Sequence, residues 1–449
     1  MELHDIPLRA VRKYRRDGWR ELLREGAAVL VEDVLFYRLA YRRYLRGRID
    51  TVSRSDLRAA PDCVVSEPHE GSMRIKASGG FRGRATPERY DPGDRFVCEV
   101  PEATVLGPAG PGVNAEGRVV VDTVATPPLG PRRTGVTLAK SMRSSGVRRT
   151  LDALSGGPPP TPDHRFGTAA LAVPPWLNYY HWTMECLPRI RLLERYGAAT
   201  GRYPTLLVPP EPPEWVEESL SLVDYAGDVA RFAGGIAAVE TLVVPTFPDP
   251  TPAECAWLGD RMRASVSTAG AEPTAGAKPA AEPTAGAKPA GAKPAAESGD
   301  GDRKPNDDGP SDGHGGSERI YVARGDATVR RVANRDELQG VLDRYGIDTY
   351  LPGELSVREQ VALFSRADLV VGPHGAGLTN VVFGEDLAVV ELFGDKRIAT
   401  FDRLAAALGH EYAFVEGEGV GVDVRVDTAE LDRAIARVLD EESADRKDL

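Results

Sequence analysis

The sequence predicts an α/β fold with two halves, each a largely parallel sheet covered by helices. Strand-like and helical runs alternate from about Phe166 to residue 245, and the same alternation resumes at residue 318. A low-complexity segment separates the two regions. Strands that alternate with helices indicate parallel sheets with helices on both faces. At 449 residues the chain is long enough for two domains and additional segments.

The charge distribution argues against a nucleic-acid partner. The formal net charge is −11, whereas residues 1–50 hold 12 Lys and Arg against 8 Asp and Glu. The rest of the chain is therefore acidic and offers no broad basic surface that could release phosphate counterions. The hydrophobic fraction of 41% is typical of a soluble globular protein.

Cysteine usage and hydropathy predict a cytoplasmic protein. The four cysteines are far apart and form no CxxC pair, so we expect reduced thiols and no zinc site. No apolar run reaches the roughly 20 residues that a spanning helix requires. Met1 is followed by an acidic, polar stretch and then Arg clusters, which is unlike a signal peptide.

Residues 1–50 are predicted to form a basic, amphipathic helical extension. Within 8–48, Arg residues are mixed with Leu, Tyr, Phe and Trp19. Such helices bind the surface of anionic membranes, with Arg at the headgroups and the apolar side chains below. The alternative is a helix that packs on its own domain and keeps its charges in solvent.

The first half is predicted at 161–265, after an irregular, β-containing lead-in at 51–160. The lead-in is rich in Gly and Pro and has short β-prone runs, such as 119–124. In the first half, strand-like runs at 168–173, 205–210 and 240–245 alternate with helical runs at 184–193 and 214–226.

Residues 266–317 are predicted to be a disordered linker or insert. The decapeptide AEPTAGAKPA occurs at 271–280 and again at 281–290, and a Gly- and Asp-rich stretch follows. So few large apolar side chains cannot compensate for the entropy lost on ordering.

The second half, 318–449, is predicted to be a doubly wound, nucleotide-binding domain. Strands are expected at 318–324, 347–352, 368–371 and 387–394. Helices are expected at 334–346, 356–367, 400–409 and 428–442, the first opened by Asn334 and closed by Gly346, the second capped by Ser356. Such a domain binds its ligand at the carboxyl ends of the strands.

The first candidate site is the glycine loop in VVGPHGAGLTN, residues 370–380. It follows a predicted buried strand and precedes a helix, so it faces the expected crevice. Glycines allow close approach of a diphosphate, a helix N-terminus offers N–H donors to it, and His374 can add a hydrogen bond. The alternative is a tight structural turn with a surface histidine, since the spacing matches neither GxGxxG nor a P-loop.

The second candidate site is NYYHWTMECLPRI, residues 178–190. His181 and Glu185 are four residues apart and share a face of a helix. A histidine held by a carboxylate is suited to act as a general base. Two such residues are a poor metal site, and a buried histidine in an aromatic-rich core is the structural alternative.

Further candidates are basic side chains downstream and one buried acid. Arg324 ends a predicted strand and Arg330 and Arg331 follow, where a guanidinium can pair with phosphate. Glu391 lies within an apolar strand and needs partners, either ribose hydroxyls or a structural ion pair. The single DxD triplet, 300–302, lies in the low-complexity segment, so we expect no metal site there.

Together these motifs resemble glycosyltransferase family 61, often described as capsular polysaccharide biosynthesis proteins. The likeness covers roughly 165–260 and 318–415 and rests on NYYHWTMECLPR, IYVAR, NRDEL, the block SVREQVALFSRADLVVGPHGAGLTNVVF and VVEL. It implies two facing Rossmann-like domains of the GT-B type, anomeric inversion and no required metal or cofactor. It also implies donor-site roles for Arg324, Arg330, His374, Gly375, Ala376, Gly377, Asn380 and Glu391. His181 and Glu185 become catalytic candidates, and Asn178, Tyr180, Trp182 and Arg189 acceptor-side candidates.

The expected function is transfer of a sugar from a nucleotide sugar to a glycan or lipid-linked saccharide, in surface polysaccharide or glycoprotein glycan synthesis. The enzyme would be cytoplasmic, with residues 8–48 able to hold it on the inner face of the membrane. A non-catalytic nucleotide-sugar-binding scaffold and a sugar-nucleotide epimerase are the alternatives. Donor hydrolysis separates the scaffold from the two enzymes.

Overall fold

A computed structural model describes most of the chain outside the N-terminus and the low-complexity segment. The described ranges are 30–69, 71–75, 89–108, 110–124, 130–173, 176–247, 249–268, 318–324, 329–394 and 397–445, with residue 327 and single positions before residue 30. The AEPTAGAKPA repeats and most of residues 1–29 lie outside them.

Eighteen strands are present in the described ranges. They are β1 (Thr51–Val52), β2 (Cys63–Glu67), β3 (Met73–Arg74), β4 (Arg89–Tyr90), β5 (Arg95–Leu106), β6 (Gly112–Val113), β7 (Val119–Val120), β8 (His164–Leu171), β9 (Thr205–Val208), β10 (Val229–Arg231), β11 (Ile236–Pro245), β12 (Glu318–Val322), β13 (Asp348–Tyr350), β14 (Ala367–Pro373), β15 (Ala388–Phe393), β16 (Glu411–Glu416), β17 (Glu418–Val420) and β18 (Asp423–Arg425).

The helices of the described ranges include both predicted and unpredicted ones. They are Leu30–Leu45, Arg54–Ala59, Gly130–Ser145, Val147–Ala153, Tyr179–His181, Trp182–Cys186, Leu187–Thr200, Glu214–Val223, Pro252–Thr268, Arg335–Tyr345, Val357–Phe364, Thr400–Leu408 and Thr428–Asp445, with 3₁₀ segments at Val121–Thr123, Pro352–Glu354 and Ala376–Phe383. The helices in the lead-in and the helix Pro252–Thr268 were not predicted.

The first sheet has nine strands and is mixed. Its order is β1-β7-β6-β5-β11-β8-β9-β10, and β2 pairs with β5. The strands β11, β8, β9 and β10 run parallel, whereas β5 is antiparallel to β11 along nearly its whole length. Strands from 51–160 and from 161–265 therefore form one sheet, and the boundary expected at residue 160 lies within it.

The second sheet is entirely parallel, with the order β13-β12-β14-β15-β16. Its central strands read as continuous apolar runs because helices cover both of their faces. The chain runs from β12 to one side, to β13, and then back across to β14. The direction of winding therefore reverses between β12 and β14, which is where doubly wound sheets bind ligands.

The sequence signals for helix ends in the second half are mostly confirmed. Ser356 forms a capping box with Glu359 at the start of Val357–Phe364, and Gly346 closes Arg335–Tyr345 with a φ of 62°. Asn334 is the N-cap residue of its helix, as predicted, but its side chain makes no capping hydrogen bond. Its amide oxygen instead accepts a hydrogen bond from the Val426 amide at 2.9 Å and ties the helix to the strand region opposite.

One hydrophobic core joins the two sheets. It includes Val97 and Trp182 on one side and Val370 and Val389 on the other. The helix Pro252–Thr268, here called the bridging helix, packs against helices of both halves and buries Cys255, Leu258 and Met262. A Cβ on Gly259 would lie 2.6 Å from the Val382 carbonyl oxygen, so only glycine permits this close packing.

The helix Leu30–Leu45 packs on the helix Gly130–Ser145. Tyr41 is 3% exposed, and a Cβ on Gly135 would lie 2.7 Å from Tyr37 and 2.8 Å from Tyr41. This part of 8–48 thus follows the alternative in which the helix packs on its own domain. Its outer side remains in solvent and carries Arg38, Arg42, Arg43, Leu39 and Tyr44. In the described residues, none of the helices is both long and apolar enough to span a bilayer.

Candidate functional site

The switch point of the parallel sheet contains a cavity of about 250 Å³. It opens where β12 ends and where the 3₁₀ segment Ala376–Phe383 begins. The second half contributes Arg324, Gln360 and Gly377 to its lining, and the first half contributes the aromatic rings of Tyr179 and Trp215. These two rings meet edge to face at 5.8 Å, so the cavity has an aromatic wall beside a cationic one.

The glycine loop is shaped by the close approach of β12 and Arg324. A Cβ on Gly377 would lie 2.7 Å from Val322 Cγ1, and one on Gly372 would lie 2.9 Å from Val322 Cβ. A Cβ on Gly375 would overlap the guanidinium of Arg324. The φ of Gly375 is 174°, which any residue adopts, so space alone requires glycine at this position. The loop therefore holds Arg324 directly over its backbone.

His374 is held by the buried carboxylate of Glu391. The imidazole Nδ1 is hydrogen-bonded to Glu391 Oε1, and the hydroxyl of Tyr412 donates to Glu391 Oε2 at 2.6 Å. Burial and the charge of Glu391 raise the pKa of Tyr412 well above its usual value, so the hydroxyl stays protonated as a donor. Because Nδ1 is engaged, Nε2 is the ring nitrogen that remains for a ligand.

Glu391 is fully buried, and its two oxygens are bonded to protein side chains. These contacts correspond to the structural alternative, whereas contact with ribose hydroxyls stays a prediction. A buried carboxylate needs such partners because an unpaired charge in a protein interior is very unfavourable. Glu391 acts through His374, whose ring it orients.

Asn380 links the two halves through hydrogen bonds. It is 0% exposed, accepts from the Tyr179 hydroxyl at 2.7 Å and donates to Gln360 Oε1 at 2.6 Å. Its predicted contact with a nucleotide sugar stays a prediction, since both of these hydrogen bonds are to protein side chains. Tyr179 and Gln360, which line the cavity, are the residues that Asn380 positions.

The remaining donor-side candidates lie in two places. Ala376 and Gly377 line the cavity. Arg330 has a φ of 60°, and its amide donates to the Val422 carbonyl, which fastens the loop after β12 to the β17–β18 hairpin. The neighbouring Arg331 is also bound to this hairpin, through a hydrogen bond from its amide to Asp423.

The second motif brings His181 and Glu185 together as predicted. His181 Nδ1 lies 2.9 Å from Glu185 Oε1, at an angle outside that of a hydrogen bond. The Asn178 side chain accepts from the His181 amide at 2.9 Å and so caps the turn that presents the ring. The imidazole is 23% exposed and remains accessible.

Glu185 has a second partner that the sequence did not indicate. Arg133, from the helix Gly130–Ser145, donates to both of its oxygens at 2.8 Å. Burial raises the pKa of Glu185, but the contacts with His181 and Arg133 outweigh burial and hold the pKa below its usual value. The carboxylate beside His181 is therefore ionised at neutral pH.

Aromatic rings connect the two motifs. Tyr180 contacts His181 edge to face at 5.6 Å and Phe401 at 5.8 Å, and Phe401 contacts His374 at 5.4 Å. A continuous series of ring contacts thus joins His181 of the first half to His374 of the second half. Burial raises the pKa of Tyr180, so its hydroxyl is neutral there.

Trp182 and Arg189 do not face the crevice. Trp182 is fully buried and its indole donates to Ser219 at 2.7 Å. Arg189 is 2% exposed and donates to the carbonyls of Asp122 and Pro245. In this structure both side chains pack in the core below the motif, and their acceptor-side role stays a prediction.

Several site residues were not predicted, namely Arg133, Gln360, Trp215, Phe401 and Tyr412. A polar Gln360 among the apolar positions of its helix was the one usable signal. Among the described residues, no group of three or more His, Cys, Asp and Glu side chains is arranged to hold a metal ion.

Comparison with known proteins identifies similarity over part of the chain. The glycosyltransferase 61 family model matches residues 179–390, which include Tyr179, His181, Arg324 and the glycine loop. The EGF domain-specific O-linked N-acetylglucosamine transferase of Gallus gallus is 31% identical over 111 residues, 23% of this chain and 20% of the relative. The chain spans about a fifth of that relative's length. Over residues 179–390 this match confirms the resemblance to glycosyltransferase family 61 that the motifs predicted.

Proposed function

We propose that this protein is an inverting, metal-independent glycosyltransferase that moves a sugar from a nucleotide sugar to a glycan or lipid-linked saccharide. The two sheets would be the facing halves of a GT-B type enzyme, with the donor in the second half and the acceptor on the first. The cavity at the switch point of the parallel sheet is the observation that carries the proposal.

The donor would place its base against the aromatic wall of the cavity. Tyr179 and Trp215 offer ring edges and faces there, and aromatic side chains bind planar groups in such arrangements. The diphosphate would then lie beside Arg324 and the amides that begin Ala376–Phe383. An arginine suits this role because its guanidinium is always charged and binds phosphate with two hydrogen bonds.

Transfer would occur in the crevice between His181 and His374. His181, held by ionised Glu185, would accept the proton of the acceptor hydroxyl as it attacks the anomeric carbon. A single displacement from the face opposite the diphosphate inverts that carbon. Arg324 and His374 would stabilise the charge that develops on the leaving diphosphate, a role that a metal ion has in other transferases.

The acceptor would lie on the side of Asn178 and Tyr180, in surface polysaccharide or glycoprotein glycan synthesis. A lipid-linked acceptor would place the enzyme at the inner face of the cell membrane. The outer side of the helix Leu30–Leu45 supports that location, since it exposes Arg38, Arg42 and Arg43 beside Leu39 and Tyr44.

Nucleotide release from a panel of UDP-, GDP-, dTDP- and CMP-sugars tests the proposal. We expect one donor class to be turned over in the presence of EDTA, and His374→Ala and Arg324→Gln to lower its turnover at least tenfold. His164→Ala and Arg437→Gln, at exposed positions, are the matched controls. Binding without any turnover would leave a nucleotide-sugar scaffold, and an epimerised free donor would indicate an epimerase. Unchanged turnover in both site variants would refute the phosphate site.

A further inference from the structure

Arg133 reaches the proposed catalytic pair from outside the matched segment. It belongs to the helix Gly130–Ser145, whereas the family match begins at residue 179. Both nitrogens at the end of its guanidinium bind Glu185, and the two side chains are 7% and 12% exposed. A paired, planar contact of this kind fixes both the position and the plane of the carboxylate.

Two aromatic rings also contact the guanidinium of Arg133. Its guanidinium carbon lies 5.7 Å from the ring centre of Trp176 and 5.5 Å from that of Phe247. Arginine stacks on aromatic rings in this way while its nitrogens remain hydrogen-bonded. The two rings and the paired contact with Glu185 therefore leave the side chain little freedom.

Glu185 Oε1 is shared between Arg133 and His181. It accepts from Arg133 Nη2 at 2.8 Å and lies 2.9 Å from His181 Nδ1. Because Nδ1 faces the carboxylate, Nε2 is left as the nitrogen that can take a proton from an acceptor. Tyr180, Cys186 and Arg189 are further charged or titratable groups of the described residues that interact with Glu185.

We propose that Arg133 is a positioning residue that fixes Glu185 and sets the proton affinity of the His181–Glu185 pair. This inference rests on the proposed role of His181 as the base. A carboxylate alone would make the pair hold its proton more tightly, since it stabilises the imidazolium. The adjacent positive charge of Arg133 opposes that effect and so weakens the hold of the pair on its proton.

The test compares Arg133→Met with Arg133→Lys in the full chain. Histidine labelled with ¹³C at Cε1 is titrated by NMR, with His181→Gln used to assign the resonance. Arg133→Met should raise the titration midpoint of His181 by about one pH unit. The acidic limb of kcat/KM should move upward equally, while the donor KM changes less than twofold. In Arg133→Lys both the His181 midpoint and the acidic limb should move by less than half as much as in Arg133→Met, because lysine keeps the charge and loses only the paired contact.

Arg143→Met is the matched control, since Arg143 is exposed on the same helix. In this control, we expect the titration midpoint of His181 to stay within about 0.3 pH units of that in the unaltered chain. That margin is well below the shift of roughly 1–3 units that a close charge typically causes. An Arg133→Met protein whose midpoint and acidic limb do not move would overturn the proposal. If that variant fails to fold, Arg133→Gln, which keeps hydrogen-bond donors and removes the charge, takes its place, and an unmoved His181 midpoint in that variant would overturn the proposal. The NMR result does not depend on turnover, so an unaltered chain that turns over no donor would refute the proposed function alone.

Discussion

Gly375→Ala tests whether Arg324 lies over the glycine loop. The extended backbone at this position accepts alanine without strain, but the new methyl group would occupy the space of the Arg324 guanidinium. The far end of a flexible side chain can move away, so we expect the protein to remain folded. We expect weaker binding of the nucleotide instead, because the displaced guanidinium would no longer contact its phosphates.

The magnitude follows from the contact that is lost. A hydrogen bond to a charged group contributes about 1.5–3 kcal/mol. At about 1.4 kcal/mol for each factor of ten, Gly375→Ala should weaken binding of the nucleoside diphosphate by roughly 10- to 150-fold. Isothermal titration calorimetry with the preferred nucleoside diphosphate measures this change, and thermal melting checks the fold.

Gly340→Ala is the matched control. A Cβ at Gly340 meets nothing within 4 Å, and the residue lies in the helix Arg335–Tyr345. Alanine there should leave binding unchanged and stabilise the helix by about 0.5–1 kcal/mol. Combining Gly375→Ala with Arg324→Gln should weaken binding little more than Arg324→Gln alone, since both changes remove one interaction. Fully additive losses, or a Gly375→Ala protein that binds normally, would refute the reasoning.

Two further predictions concern segments outside the crevice. Replacing residues 269–315 with a short flexible linker should leave melting temperature and turnover nearly unchanged. A sequence so poor in large apolar side chains contributes little burial, and the entropy of loop closure depends weakly on loop length. An unfolded or inactive product would contradict this prediction. Changing Arg38, Arg42 and Arg43 together to Gln should weaken flotation with anionic liposomes by roughly a hundredfold, at about 1 kcal/mol per residue near the surface. The same change at the exposed Arg148, Arg433 and Arg437 is the control, and equal flotation of both variants, or no flotation of the unaltered chain at low salt, would refute a membrane role.

Local patterns predicted the parts of the fold whose cause is local. The alternation of strands and helices after residue 318, the Ser356 capping box and the Gly346 helix end depend on neighbours within a few residues. The pairing of β5 with β11 does not, since Val97 lies opposite Pro245. The local sequence of neither strand indicates which distant strand it pairs with, and for this reason the lead-in was not recognised as part of the first sheet.

The candidate site shows the same division. The motifs located His181, Glu185 and His374 because their spacing and their place after strands carry information. Arg133 gave no signal, because in an Arg-rich chain only the fold shows which arginine meets Glu185. The buried positions of Trp182 and Glu391 were likewise set by packing. In a sequence motif, a residue that only supports the site cannot be distinguished from one that contacts the ligand.

The bridging helix has a consequence for motion. Many two-domain enzymes open and close around their ligands by rotation about a hinge, which requires an interface that can separate. Here Gly259 lies against the backbone of Ala376–Phe383, and Glu218 from the first half accepts hydrogen bonds from the amides that begin Val357–Phe364. Separating the sheets would expose apolar core that both share. The two halves would therefore stay at a fixed distance from each other. Substrates would enter and leave through movements of side chains and loops at the rim of the site.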